Sequence, residues 1–473
     1  MDFRNKFDVV MGLEIHAELD TKTKIFCGCK NEYGSSVNTN VCPVCTGMPG
    51  ALPVLNSKVI ELGVKAGLSF GCTISKYSVF ERKNYFYPDL SKAYQISQLV
   101  YPLCIGGSVT LQSGKVIRIN RIHLEEDAGK LTHLSKLEGT IVDYNRAGTP
   151  LIEMVTEADF SSAEEVVEFL KIVRERLTFE DIAKCKMEEG GMRCDVNLSV
   201  KPKGEKKLGT RTEMKNLNSF KSVQRAIEYE SMRQIEALLD GEEIIQETRK
   251  WDENKGKSFS LRDKAEAQDY RYFPEPDIPP VVLSDEDIKN IKADMVVLPN
   301  ERRKMYQEQF GLPVYDSEIL TINKYISDYF EDCVRNYYNP KKISNWIMVD
   351  ILKLVNLNEG EQFPISSEYL SKIIKMVEDK LINKTLGLQL LEEVIKTGES
   401  PDVLAKKMKL IVTICDDKII ELLNELIKTN PKVVEDYKLT PERVEPYILG
   451  FVMKGTQGKA NVIKVKELIK QVF

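Results

Sequence analysis

The chain of 473 residues is too long for one hydrophobic core and divides into two to four domains at roughly 100–200 residues each. Its 42% hydrophobic and 29% charged residues are those of a soluble globular protein, and a net charge of −5 excludes a global basic field for nucleic acid or anionic membrane. No run approaches the ~18 apolar residues of a membrane span, and the first five residues lack a signal-peptide pattern, so the expected location is the cytoplasm.

Residues 8–19 alternate cleanly. Leu13, Ile15, Ala17 and Leu19 fall on one strand face and Glu14, His16 and Glu18 on the other. Acid, imidazole and acid in succession make a platform for a metal or a proton, where a solvated sheet face is the plainer alternative. Then come Cys27-Gly-Cys29, twelve residues, and Cys42-Pro-Val-Cys45. Four thiolates closing a polar loop point to a structural tetrahedral zinc site, with a redox pair or an iron–sulfur cluster as alternatives. The scattered cysteines (72, 104, 185, 194, 333 and 415) are expected to be plain packing, and none of the ten is expected in a disulfide.

A short helix is predicted over 56–70. Residues 81–89 interleave cations with three aromatic rings, which suits either a nucleotide- or RNA-contacting surface, with Lys83 for phosphate, or the edge of an aromatic core. A hairpin over 98–121, with turns at Gly106-Gly107 and Ser113-Gly114, leads into His123-Leu-Glu-Glu-Asp-Ala-Gly-Lys130. Three adjacent carboxylates repel one another, so the cluster is either a solvated turn or a site with a cation beside it. A strand pair is expected at 141–145 and 151–157, with Glu153 facing away from Ile152 and Met154. Helical spacing over 162–178 is followed by strands ending near Val200 and Leu217, then a helix from Ser219 to Leu239 closed by Gly241. Gly256-Lys257-Ser258 imitates the end of a phosphate-binding loop, but Trp251 stands where that motif needs glycine. The proline- and aromatic-rich run 269–280 is expected to dock on the core. Beyond 295 the pattern is helical: 300–310, 317–335, 341–356, 366–380, 385–396, and a last unit opening at Ser400-Pro401 that ends lysine-rich, suited to phosphate contact or simple solvation.

Read from the residues alone, Glu14, His16, Glu126 and Glu153 hold a divalent Mg²⁺ or Mn²⁺, and Lys83 and Lys130 neutralise phosphates. That favours metal-assisted phosphoryl transfer. The motifs Gly12-Leu-Glu-Ile-His16, Arg82-Lys-Asn-Tyr-Phe-Tyr-Pro-Asp89, Ala93-Tyr-Gln-Ile-Ser-Gln98, His123 to Lys130, Asn145-Arg-Ala-Gly-Thr-Pro-Leu-Ile-Glu153, Lys215-Asn-Leu-Asn-Ser-Phe220, Tyr270-Arg-Tyr-Phe-Pro-Glu-Pro-Asp277 and the closing Gly-Lys-Ala-Asn461 closely resemble, in order and over the whole chain, the bacterial-type B-subunit family of aspartyl/glutamyl-tRNA amidotransferases.

That resemblance implies an α+β fold: a cradle-like mixed catalytic domain over 1–295, an all-α helical domain over 296–400 and a small helical tail domain over 401–473 that holds tRNA. It implies ATP-dependent phosphorylation of the side-chain carboxylate of tRNA-bound glutamate or aspartate, then displacement of phosphate by ammonia from a glutaminase A subunit, with a small C subunit completing a heterotrimer. His16, Glu126 and Glu153 are the implied Mg²⁺ ligands, with Glu14, Glu125 and Asp127 in the same pocket. Many members of the family lack the four cysteines, so zinc at Cys27, Cys29, Cys42 and Cys45 rests on their spacing. The competing readings are a non-catalytic tRNA-binding scaffold and a metal-dependent phosphohydrolase.

Overall fold

In the computed structural model the described residues are 6–133, 139–263, 269–354, 363–410, 416–456, 460 and 462–473. They divide into two compact units, Met1–Pro299 and Asn300–Phe473. Among the described residues no helix is long and apolar enough to cross a membrane.

The first unit is mixed α+β. Its centre is a ten-stranded sheet whose middle strands are β1 (Phe7–Glu18), β2 (Val116–Glu126), β3 (Pro150–Thr156), β4 (Met192–Pro202) and β5 (Thr212–Lys215). Their spatial order is β5-β4-β1-β3-β2, all antiparallel. Beyond β5 lie Glu247–Asp252, paired parallel to it, and Lys257–Asp263; beyond β2 lie Cys104–Ile105 and Thr73–Ile74. The alternation read in β1 puts Leu13, Ile15, Ala17 and Leu19 in the core, each at most 1% exposed. Glu14, His16 and Glu18 are left on the opposite, half-buried face.

Three helices supply the core. α1 (Ser57–Ser69) starts on Asn56, whose side chain accepts from the Lys58 N–H; it packs against β2. α2 (Ala163–Phe179) starts on Ser162, carries Glu164 and Glu165 in its first turn, and buries Val166, Phe169, Leu170, Val173 and Leu177. α3 (Phe220–Leu239) starts on Ser219 and packs against α2 and β4. Each fully buried Leu, Val or Phe contributes about 1.5–3 kcal/mol, so this one face of the sheet is held firmly while the other stays open for polar work.

The pair expected between 141–145 and 151–157 does not form. Thr140–Asp143 pairs with Lys130–His133 instead, while β3 lies between β1 and β2 in the large sheet. The sequence difference explains it: β3 is mostly buried, whereas Thr140 and Ile141 are exposed, so the two runs belong to different layers. The 269–280 run is docked as expected. Phe273–Pro274 pairs with the Glu81–Asn84 strand, and Arg82 forks onto buried Glu275 at 2.6 and 2.7 Å.

The second unit is helical among its described residues. One core gathers Tyr306, Phe330, Trp346, Ile373 and Leu390; another gathers Leu423, Ile448, Val452 and Val465. The single helix expected over 317–335 is two, Val314–Leu320 and Lys324–Asn336. Asn323 restarts the second by accepting from the Ile326 N–H at 3.0 Å. The helix opening at Pro401 sends Leu404 and Ala405 into the first of these cores, and the second takes up only from Ile419. Most of the closing Gly-Lys-Ala-Asn motif lies outside the described residues.

Candidate active site

Register decides which acids meet. His16 on β1 stands opposite Glu153 on β3, and Glu153 stands opposite His123 on β2. These three positions therefore form a row across the open face. Two residues on from His123, with the same side-chain phase, comes Glu125. His16 Nε2 lies 3.4 Å from Glu125 Oε1 and 3.3 Å from Glu153 Oε2; His123 Nε2 lies 3.5 Å from Glu153 Oε2 and 3.8 Å from Glu125 Oε2. Ligand atoms of His16, Glu125 and Glu153 all fall within 4.8 Å of one another.

Glu126 does not join them. Being one residue on, it points to the other side, where it meets Lys92 Nζ at 2.6 Å and accepts from the Ile96 N–H at 2.9 Å. Its oxygens are held in a buried ion pair away from His16 and Glu153. Asp127 lines the cavity, but its carboxylate is clamped by Arg146 (2.9 and 2.5 Å) and Arg193 (2.9 Å). Burial would raise its pKa; the two guanidiniums outweigh that and lower it, so Asp127 stays an anion fixed in place.

Glu14 belongs to a second acid group that sequence reading left scattered. It comes within 4.8 Å of Asp195 on β4 and Glu213 on β5. Lys215 offsets part of their charge, with Nζ 2.5 Å from Asp195 and 2.9 Å from Glu213. Burial and the charges of Glu153, Glu213 and Asp195 raise the Glu14 pKa. Asn197 donates to Glu14 Oε1 at 3.1 Å.

Both groups open into one polar cavity of about 550 Å³, which Lys83, Tyr85, Arg193 and Tyr270 also line. Lys83 Nζ sits 4.9 Å from the centre of the Tyr270 ring, because the Asn84 side chain and N–H bind Arg271 and Tyr270 carbonyls across the docked 269–280 segment. Lys130 is elsewhere. It is exposed and lines a neighbouring cavity with Asp89 and Arg146.

The His16 imidazole is strongly perturbed. Its burial, the largest influence, would lower the pKa, but hydrogen bonds to and the charges of Glu125 and Glu153 together push it up to about 10. Buried Glu125 and partly buried Glu153 thus favour a positive charge between them.

The four cysteines come together as their spacing required, with sulfurs within 4.8 Å of one another. Cys45 ionises more readily than an ordinary thiol. A hydrogen bond from Cys27 lowers its pKa to about 4, aided by the Cys42 backbone and the charge of Lys24. Lys24 is itself fully buried and donates to the Asn40 and Tyr144 carbonyls at 2.8 and 3.2 Å.

Comparison with known proteins gives the same order of parts. Residues 9–289 match the GatB/GatE catalytic domain and residues 328–473 the GatB domain. The chain belongs to the GatB/GatE family. It is 49% identical to the B subunit of the aspartyl/glutamyl-tRNA(Asn/Gln) amidotransferase of Caldicellulosiruptor bescii over 98% of this chain and 99% of the relative. It is 46% identical to the same subunit from Thermoanaerobacter sp. (strain X514) over 98% and 99%, and 45% identical to that of Clostridium tetani over 98% of each. Within this GatB/GatE chain the two acid groups, Lys83 and the cysteine loop all lie inside the matched catalytic domain.

Sequence reading named Glu14, His16, Lys83, Glu125, Asp127 and Glu153 as site residues but missed His123, Asp195, Glu213 and Lys215. A usable signal was present for His123, since it shares the two-residue phase of Glu125. For the others the faces were legible and the strand pairing was not.

Proposed function

We propose that the chain is the kinase–transamidase subunit of a tRNA-dependent amidotransferase, acting on glutamate or aspartate esterified to tRNA. The observation that carries this reading is the meeting of two acid groups and Lys83 in one cavity within a chain of this family. A carboxylate is a poor electrophile because its leaving group would be oxide. Transfer of the ATP γ-phosphoryl group to it, with ADP leaving, makes an acyl phosphate. Ammonia then forms the amide C–N bond as the C–O bond to phosphate breaks.

His16, Glu125 and Glu153 fit a Mg²⁺ ion, with two carboxylates and one imidazole converging, and Glu14, Asp195 and Glu213 offer a further oxygen-rich position. When bound, Mg²⁺ offsets the charge of the two anions that must meet. Lys83 draws phosphate and carboxylate into the cavity, and Tyr85 and Tyr270 bound it on that side. Asp127, held by Arg146 and Arg193, fixes the wall. Glu125, in place of Glu126, is the ligand this geometry supports. Zn²⁺ held by Cys27, Cys29, Cys42 and Cys45 would order the loop they close. A glutaminase A subunit and a small C subunit supply the ammonia and complete the assembly, and the helical unit holds the tRNA.

ATP hydrolysis by the chain with its A and C partners, given Mg²⁺, ammonia and glutamyl-tRNA, tests the reading. Turnover that requires the charged tRNA is the expected result. ATP use indifferent to the amino acid would mark a phosphohydrolase, and tight tRNA binding without turnover a scaffold.

The raised His16 pKa makes a separate prediction. A cation can take the imidazole nitrogen only once its proton leaves, so binding at this site releases about one proton below the folded pKa. Affinity should then rise about tenfold per pH unit between pH 6 and 9. Calorimetric titration of Mg²⁺ in two buffers of different ionisation enthalpy reads the released proton; identical heats would contradict it.

A further inference from the structure

The ammonium of Lys24 takes no part in the chemistry above, yet it is 0% exposed. A lysine usually carries its charged head out to water along its flexible stem, and that escape is closed here. Its polar contacts are two carbonyl oxygens, Asn40 at 2.8 Å and Tyr144 at 3.2 Å. Among the described residues no carboxylate pairs with it. Asp143, beside Tyr144, turns a carboxylate oxygen to the Asn38 and Asn145 N–H groups instead. Carbonyl dipoles solvate an ammonium but do not cancel its charge, and a buried charge without a counter-charge is costly.

What surrounds Lys24 is the cysteine loop. Its own N–H donates to the Cys29 carbonyl at 3.0 Å, which ties it to the first cysteine pair. Asn40, which accepts from its ammonium, stands two residues before Cys42 and so belongs to the second pair. Gly148 closes the third side. A Cβ there would meet the Cys45 Cβ and the Lys24 Cδ at 3.6 Å each, and its φ of +82° is one that other residues rarely adopt. Lys24 and Cys45 therefore flank one bare α-carbon. The Ile25 N–H holds that approach by donating to the Gly148 carbonyl at 2.9 Å.

Four thiolates around a divalent ion leave two negative charges uncancelled, and away from water that excess is felt strongly. Resting on the reading of the four cysteines as a metal site, we propose that Lys24 is the fixed counter-charge of that centre and tunes it for a divalent ion. The buried cation and the anionic centre are each costly alone, and each lowers the cost of the other. The attraction of an ammonium to a doubly negative centre is about twice that to a singly negative one. Lys24 thus shifts the balance toward zinc or ferrous iron and away from ferric iron on the same thiolates. It acts through charge and position, since its donors go to carbonyl oxygens.

Two variants of the full chain test this: Lys24→Met, which removes the charge and the donors, and Lys24→Gln, which removes the charge and keeps an N–H donor. Zinc affinity is read by competition with a colorimetric chelator. On chains reloaded with iron, the reduction potential is read by spectroscopic titration. Both variants are expected to hold zinc at least about tenfold more weakly. Their iron potential should fall by a tenfold shift in the one-electron equilibrium, about 59 mV. Affinity and potential unchanged in both variants would overturn the proposal. So would a loss in Lys24→Met that Lys24→Gln fully restores, because the carbonyl bonds would then be the whole of the effect. A wild-type chain that retains neither zinc nor iron overturns the metal reading itself. If neither variant folds, the wild type decides. Reductive methylation followed by peptide mass spectrometry should leave Lys24 unmodified with zinc bound and modify it once the zinc is chelated; the same result in both forms overturns the proposal.

Discussion

Glu125→Gln is expected to abolish ATP-dependent amidation, lowering the rate at least about 100-fold, the upper end of what changes one shell further from a metal cost. Glu126→Gln should leave the chemistry largely intact and cost stability instead. The two residues are neighbours in sequence and opposites in function because a strand alternates. Glu125 shares the face of His16 and Glu153 and lies 3.4 Å from His16 Nε2. Both histidines hold its carboxylate well below the usual range against the burial that would raise it. Glutamine there removes a charge and a ligand oxygen together. Glu126 is 4% exposed and its half-buried partner Lys92 approaches to 2.6 Å, so neutralising Glu126 leaves that ammonium without its counter-charge at a cost on the order of 3 kcal/mol. Amidation rate and thermal midpoint measured on both variants separate the two cases. An inactive Glu126→Gln of wild-type stability beside an active Glu125→Gln would contradict the assignment by strand phase.

The sequence carried the elements more faithfully than their neighbours. β1, α1, α2 and α3 are local objects: alternation, helical spacing and the caps Asn56, Ser162 and Ser219 are written within a few residues of each. Pairing is not local. Nothing in 141–157 says that β3 inserts between β1 and β2 and leaves Thr140–Asp143 to a small sheet of its own. For the same reason Asp195 and Glu213, each legible as outward-facing on its own strand, could not be placed beside Glu14. The choice of Glu126 over Glu125 is a different kind of miss. The acids were found, but the phase set by His123 was not carried two residues along the strand. Where a long-range contact was read, as for the docked 269–280 run, it was the density of aromatic residues and prolines that marked it.

Cys45→Ser should remove bound metal and weaken the cavity wall together. One zinc per chain is expected in the wild type and almost none in the variant, measured by a colorimetric chelator after unfolding. Structural zinc contributes an apparent 10–16 kcal/mol or so in small metal-dependent domains; here part of the loop's order comes from hydrogen bonds, so a loss of at least about 3 kcal/mol is the expectation, read as a lower thermal midpoint. The effect should reach the active site because the loop is tied to the segment before β3. The Asn38 N–H donates to Asp143, its side chain accepts from the Tyr144 N–H at 2.7 Å, and the Asn40 N–H donates to Asn145 at 2.8 Å. Buried Lys24 bridges the Asn40 and Tyr144 carbonyls. Arg146 follows directly and clamps Asp127. On the other side the Ser91 hydroxyl donates to the Cys45 carbonyl, next to the Lys92 that holds Glu126. Losing the metal therefore loosens the anchors of Asp127, which lines the cavity, and of Glu126 behind the strand, without removing either. Amidation should fall in the variant even at temperatures where it remains folded, and full activity in a zinc-free, folded Cys45→Ser chain would show that the loop stands apart from the site. Visible absorption in the wild type, lost in the variant, would instead identify an iron–sulfur cluster on the same four thiolates.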